Sequence, residues 1–258
     1  MKHIFIACFI LINTAAFGQK ITGIEICPEK KSELIRELVE RKKNEYEMLS
    51  TRKIEDSFFP FHLNNDNKVD FIYNGFVGAE SLGVEIYLAK NDGQFEMIKF
   101  ELGIVEKVIR KLPDLPTEIH FIQYGCCDDP RNFFQIWTLA DNRVSETEKY
   151  FFLNKTELPS TMNYRYKIEV LNTPYYLRAT PEIINDEFHY HYEKGNIIAE
   201  YSQGDTGYVL DQRTDNTGRV WYFVIMNPPQ GKGFHNYDID RHEKWLGWMS
   251  SRFLDRKE

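Results

Sequence analysis

Trp245-Leu246-Gly247-Trp248-Met249-Ser250-Ser251-Arg252-Phe253-Leu254 ends the stretch of this chain, residues 197–254, whose reading decides the fold. Short apolar runs in it are broken by turn residues such as Ser202-Gln203-Gly204-Asp205, and a Gly-Trp pair lies close to the terminus. Extending the pattern backwards predicts strands over residues 164–171, 175–179, 196–201, 207–213, 219–226 and 245–250. That many short strands within about 90 residues match a small barrel better than a sandwich.

Four ordered segments sharpen this. Leu177-Arg178-Ala179-Thr180-Pro181 carries an Arg-small-x-Pro step after a first strand. Asn196-Ile197-Ile198-Ala199-Glu200-Tyr201-Ser202-Gln203-Gly204-Asp205 is a strand and turn reaching a Gly. Val220-Trp221-Tyr222-Phe223-Val224 supplies Trp-Tyr-x-Val, and the closing segment supplies Gly-Trp-x-x-Ser-x-Phe-Leu. Together, over residues 166–254, they resemble a bacterial SH3-like (SH3b) domain. Residues 182–195 make a longer first loop than that pattern has, and residues 227–243 insert a loop bearing Pro, Gly and His before the last strand. The resemblance implies an exported binding module acting on cell-wall peptides or glycans, or on a protein partner. In such a barrel the ligand groove lies between two loops and is lined by aromatic rings, which offer apolar area at low entropic cost. Tyr176, Tyr208, Trp221, Tyr222, Trp245 and Trp248 are the groove candidates. Strand alternation turns half of each strand inward, so the same rings also suit a core.

The first half has a different pattern. Leu34, Ile35, Leu38, Val39, Tyr46 and Leu49 recur at helical spacing among mixed charges and predict a helix over residues 28–49, with Pro28 in its first turn. Strands are then expected at 69–73, 84–88, 95–100, 118–124 and 133–139, with Asn91-Asp92-Gly93 as a hairpin turn. Residues 103–112 suit a strand or a short helix equally. His62-Leu63-Asn64-Asn65-Asp66-Asn67-Lys68-Val69-Asp70 precedes an apolar strand. Residues 62–100 resemble a calcium-loop blade of the FG-GAP/VCBS type. That resemblance makes Asn64, Asp66 and Asp70 the calcium ligands. His62 stands where the motif has an acid and Asn67 where it has Gly, and the lost carboxylate weakens a site that needs six to eight oxygens. An Asn/Asp-rich turn bonded to its own backbone is the alternative.

Lys2 and His3, the apolar run over residues 4–12 and the small residues of Ala16-Phe17-Gly18 read as a secretory signal over residues 1–18, too short to span a bilayer. Export favours a disulfide. Adjacent cysteines bridge each other only under strain, so Cys27 is expected to pair with Cys126 or Cys127. The expected organisation is a mainly β chain, α+β overall. A signal peptide (1–18) precedes an α+β domain (19–155), a polar linker (156–163) and a small SH3-like β-barrel (164–258).

With 39 acidic against 32 basic residues the chain carries a formal charge of -7 and no basic run that reads as a nucleic-acid face. It lacks a Gly-x-Ser-x-Gly elbow, a Gly-rich phosphate loop and a His-Glu-x-x-His helix. A thiol-dependent or wall-hydrolysing enzyme built on Cys126 or Cys127 with His120 is the catalytic alternative, opposed by Asp128 and Asp129, which raise a neighbouring thiol's pKa. His189, His191, His235 and His242 offer nitrogen ligands for a zinc reading that lacks a defined third ligand. The leading expectation is therefore an exported, non-catalytic envelope module without a cofactor, calcium aside, and without a membrane span after signal cleavage. A barrel that only braces the first domain is the structural alternative.

Overall fold

A computed structural model describes residues 23–45, 49–78, 81–110, 116–125, 131–154, 156–159, 166–185, 195–229 and 243–257. The signal segment, Cys126, Cys127, Asp128, Asp129 and the histidines at 189, 191, 235 and 242 lie outside these residues. The chain is mainly β, with 52% of the described residues in strands against 14% in helices.

Helix α1 (Pro28–Glu45) forms where the heptad-like spacing places Ile35, Leu38, Val39 and Lys42 on one buried stripe. A short α2 (Thr51–Asp56) follows, its first turn capped by the Ser50 hydroxyl, which accepts from the Lys53 N–H at 3.4 Å. Both helices cover one face of an antiparallel meander of β1 (Phe58–Phe61), β2 (Asp70–Phe76), β3 (Leu82–Ala89) and β4 (Phe95–Leu102). Alternation sorts its residues. Phe71, Tyr73 and Tyr87 meet α1, while Ile72, Val84, Ile86 and Leu88 face the opposite way. Gly93 at φ +81°, in the expected Asn91-Asp92-Gly93 turn, joins β3 to β4.

The buried Lys42 of α1 is anchored by charge. Its ammonium donates to Glu85 on β3, and the other Glu85 oxygen accepts from the Tyr87 hydroxyl. Arg41 donates to the Tyr87 hydroxyl at 2.8 Å, and the Lys42 ammonium sits 4.8 Å from the Tyr73 ring centre. Burial, then the neighbouring Glu85 carboxylate, pushes the Tyr87 phenol well above its usual range.

A second sheet carries β5 (Ile104–Ile109), β6 (Thr117–Gln123), β7 (Arg131–Ala140), β8 (Arg143–Glu146) and β9 (Tyr150–Leu153). Asp141 and Asn142, at φ +49° and +59°, make the two-residue β7–β8 turn. Ile119, Phe121, Trp137 and Leu139 close a core against the first meander, with Phe121 stacked on Trp137 at 4.2 Å.

The same sheet runs on into the C-terminal half. That half contributes β10 (Tyr166–Val170), β11 (Tyr175–Arg178), β12 (Ile197–Tyr201), β13 (Thr206–Thr214), β14 (Val220–Met226), β15 (Lys244–Ser250), a 3-10 turn (Ser251–Phe253) and β16 (Leu254–Lys257). Strands β13, β14 and β15 pair consecutively and antiparallel. The free edge of β15 is then divided. Lys244 and Trp245 pair in parallel with Tyr150 and Phe151 of β9, and Trp248 pairs with Arg178 of β11. Among the described residues β12 pairs only with β11, and β16 only with β10, so hydrogen bonding does not close these strands into a barrel. Sharing the β15 edge with β9 diverts the sheet into the first half instead.

Packing repeats that continuity. Ile122, Phe134 and Phe152 of the first half share one core with Trp221, Phe223, Leu246 and Trp248 of the second. The opposite face of the C-terminal strands has its own core, built on Val170, Leu177, Val209, Val224, Trp245 and Met249. Residues 156–159 lie between the halves and are fixed, because Glu157 donates its N–H to Ala179 O and accepts from Trp248 Nε1 at 2.8 Å.

Candidate functional site

Strand β11 sets up the most built surface of the C-terminal half. Tyr176 and Arg178 are two residues apart and share a face, and the register shift beside them leaves the extra residue, Ile198, on the partner strand β12. Strand β15 lies close because Gly247 has no side chain, as a Cβ there would meet Arg178 O at 2.7 Å. This close approach is the physical reason for the Gly-Trp pair at the chain's end. Gly195 does the same for the first loop: its φ is +58°, and a Cβ would stand 1.8 Å from Ile184 O.

The start of that loop wraps the Arg178 head. Its guanidinium donates to Asn196 Oδ1 at 2.8 Å, Asn185 Oδ1 at 3.0 Å and Ile184 O at 3.2 Å. Asn196, itself buried, donates to Thr180 Oγ1 and Glu182 O and so ties residues 180–185 to the same centre. Burial holds the Arg178 pKa below the ordinary guanidinium range.

Arg178 borders a cleft of about 190 Å³ whose walls include Tyr175, Tyr176, Arg219, Trp221, Arg252 and Phe253. Arg178 Cζ lies 5.5 Å from the Tyr176 ring centre, Arg219 Cζ 5.7 Å from that of Trp221, and Arg252 Cζ 5.4 Å from that of Phe253. The Tyr175 hydroxyl donates to Ser250 O, and its ring meets Phe253 edge-on at 5.7 Å. An adjoining groove of about 500 Å³ shares Ile183, Arg219 and Trp221. Its Asp215 carboxylate is occupied, accepting from Thr217 Oγ1 at 2.6 Å and from Trp221 Nε1 at 2.9 Å, and these bonds hold its pKa far below the usual range. Its Glu157 pairs with Arg213 at 2.7 Å.

The six aromatic groove candidates part company here. Tyr176 and Trp221 line the same cleft, Trp221 as a nearly buried wall. Trp245 and Trp248 are fully buried in the two cores on opposite faces of the sheet, and so face no open groove. Tyr222 packs on the C-terminal core, edge-on to Tyr166, and Tyr208 is exposed elsewhere on β13. Arg178, Arg219 and Arg252 were not among the candidates. Two of them stand inside the segments quoted above as fold markers, where chemistry went unread.

The calcium candidates form a self-satisfied turn. Asp70 is fully buried, and its two oxygens accept from Leu63 N at 2.8 Å and Ala89 N at 3.0 Å. Burial raises its pKa, with those backbone bonds pulling the other way. Asn64 Oδ1 accepts from Asp66 N, Asp66 Oδ1 from Lys68 N, and Asn67 takes φ +59°. The Lys68 ammonium reaches Asn91 Oδ1 at 2.6 Å and Asp66 at 3.6 Å, placing a positive charge within the turn. In this arrangement both Asp70 oxygens, Asn64 Oδ1 and Asp66 Oδ1 already accept from backbone N–H groups. Among the described residues no group of three or more His, Cys, Asp and Glu is placed to hold a metal.

His120 is nearly buried on β6, edge-on to Phe134 at 5.3 Å, and Cys27 is exposed just before α1. The cysteines proposed to work with either lie outside the described residues. No helix among the described residues is long and apolar enough to cross a membrane. Comparison of the chain with family models, curated proteins and solved structures returns no match.

Proposed function

We propose that this chain is an exported, non-catalytic binding module of the bacterial cell envelope. Its SH3-like C-terminal half takes wall peptide or glycan, or a protein partner. One observation carries the reading: Tyr176 and Trp221, two residues expected in a ligand groove, converge on one cleft beside the first loop, with cations held against both rings. Consecutive antiparallel pairing of β13, β14 and β15 supports the SH3-like assignment. Rings backed by guanidinium groups are rigid and amphipathic, which suits recognition at low ordering cost.

Co-sedimentation of the full chain with purified peptidoglycan tests it. The full chain is required because β9 supplies part of the β15 edge. Retention is expected, weakened by Tyr176→Ala without loss of melting temperature. A chain that stays in the supernatant overturns the wall-binding reading.

The core shared by Trp221, Trp248, Phe134 and Phe152 favours a second reading, in which the C-terminal half braces the first. That reading predicts no retention, and a large loss of melting temperature when the connection at residues 156–163 is cut.

A further inference from the structure

Among the described residues, the cleft beside β11 is lined by three guanidinium groups and no carboxylate. Arg178 is 5% exposed, yet its guanidinium bonds only neutral oxygens among the described residues. Arg219 and Arg252 line the same cleft, and neither forms an ion pair among the described residues. None of the described residues lining this cleft is acidic, although acids outnumber bases in the chain as a whole. Buried charges are ordinarily paired, because desolvating a lone ion is costly. Arg219, on the same cleft, adds a second positive charge and so raises that cost.

We propose that this cleft holds the free carboxylate of a short peptide. The carboxylate lies among Arg178, Arg219 and Arg252, and the adjoining peptide lies against Tyr176 and Trp221. This rests on the reading of the C-terminal half as a binding module and names the group that it grips. Guanidinium forks match a planar carboxylate with paired N–H donors. A volume of about 190 Å³ is below the roughly 300–1,000 Å³ of drug-sized ligand sites. It suits a chain end rather than a sugar pair, and the adjoining groove gives the peptide its way out past Ile183.

Calorimetric titration of the full chain tests this with a soluble wall tetrapeptide, the same peptide with its carboxylates amidated, and inorganic phosphate. The free acid is expected to bind at least about tenfold more tightly than the amide, and more weakly as salt is raised. The double substitution Arg219→Gln, Arg252→Gln, on two surface-accessible positions, is expected to remove about the same factor with an unchanged melting temperature. Failure of the free acid to bind, equal binding of acid and amide, or phosphate displacing the peptide at equal concentration overturns the proposal. The amide comparison uses the unaltered protein and stands even if the variant misfolds. If peptidoglycan retains the chain while acid and amide bind alike, the carboxylate inference falls and the envelope reading stands. If the acid binds as expected and peptidoglycan is not retained, the wall reading falls and the cleft remains a carboxylate site.

Discussion

Glu85 sits at the centre of a buried polar cluster in the first half. It is buried between the Lys42 ammonium and the Tyr87 hydroxyl and, together with the exposed Glu45 carboxylate 3.6 Å from that ammonium, balances the Lys42 charge inside α1's buried stripe. Removing one partner of a buried pair strands the other, at about 3–5 kcal/mol. Glu85→Gln leaves Lys42 only the more distant Glu45 and is expected to lower unfolding free energy by up to about that amount in denaturant titrations. Replacing Lys42 and Glu85 together by Met and Leu is expected to cost much less, because no uncompensated ion remains. Asp70 belongs to the same class of structural acids. Asp70→Ala leaves the Leu63 and Ala89 N–H groups without their acceptor and is expected to cost at least about 2 kcal/mol. Since both oxygens are already used, millimolar calcium and a chelator are expected to give superimposable thermal melts; a calcium-dependent rise would show that the turn opens to bind the ion.

At the scale of single elements, β5 offers a pH test. Burial raises the Glu106 carboxyl above its usual 4.5, with no compensating partner among the described residues. A raised carboxyl pKa means the folded state binds the proton more tightly than the unfolded state. Stability from this group is then greatest in acid and is lost as pH rises from about 4.5 through the higher folded value. Glu106→Gln is thus expected to stabilise the chain at neutral pH, the gain shrinking to nothing below that window in melts taken across pH. Elements also show what was legible beforehand. The meander strands β2, β3 and β4, and α1 as far as Glu45, follow from apolar alternation and helical spacing. Strand β1 was missed because Phe-Phe-Pro-Phe has no alternation, and Pro60 is admitted only on an outer strand, which β1 is. Strand β9 was missed because Tyr-Phe-Phe-Leu is apolar throughout, as befits a strand between β7 and β15, and periodicity does not mark such runs. The tryptophans mark the remaining limit. Alternation shows that Trp221, Trp245 and Trp248 turn to one face or another, but not that both faces of β14 and β15 are covered.

For the whole molecule, continuity of the sheet between the two halves, through the pairing of β9 with β15, is the dominant fact. Trp248 meets Phe223 at 5.2 Å and shares a core with Phe134 and Phe152 from the other half. Its indole also bonds Glu157 O and lies under the Arg213 guanidinium at 4.9 Å. Trp248→Ala is expected to cost about 3–5 kcal/mol and to lower the melting of both halves together, seen as one shifted transition by calorimetry. Two separated transitions would show that the halves fold independently. On the C-terminal half, the arginine-bearing cleft walled in part by the nearly buried Trp221 is the proposed ligand surface. Amide hydrogen exchange of the full chain, with and without saturating soluble peptidoglycan fragments, tests that assignment most directly. Added protection is expected in residues 175–185, 213–221 and 250–253, the segments that wall the cleft. Protection confined to other surfaces, or none at saturating fragment, would contradict it.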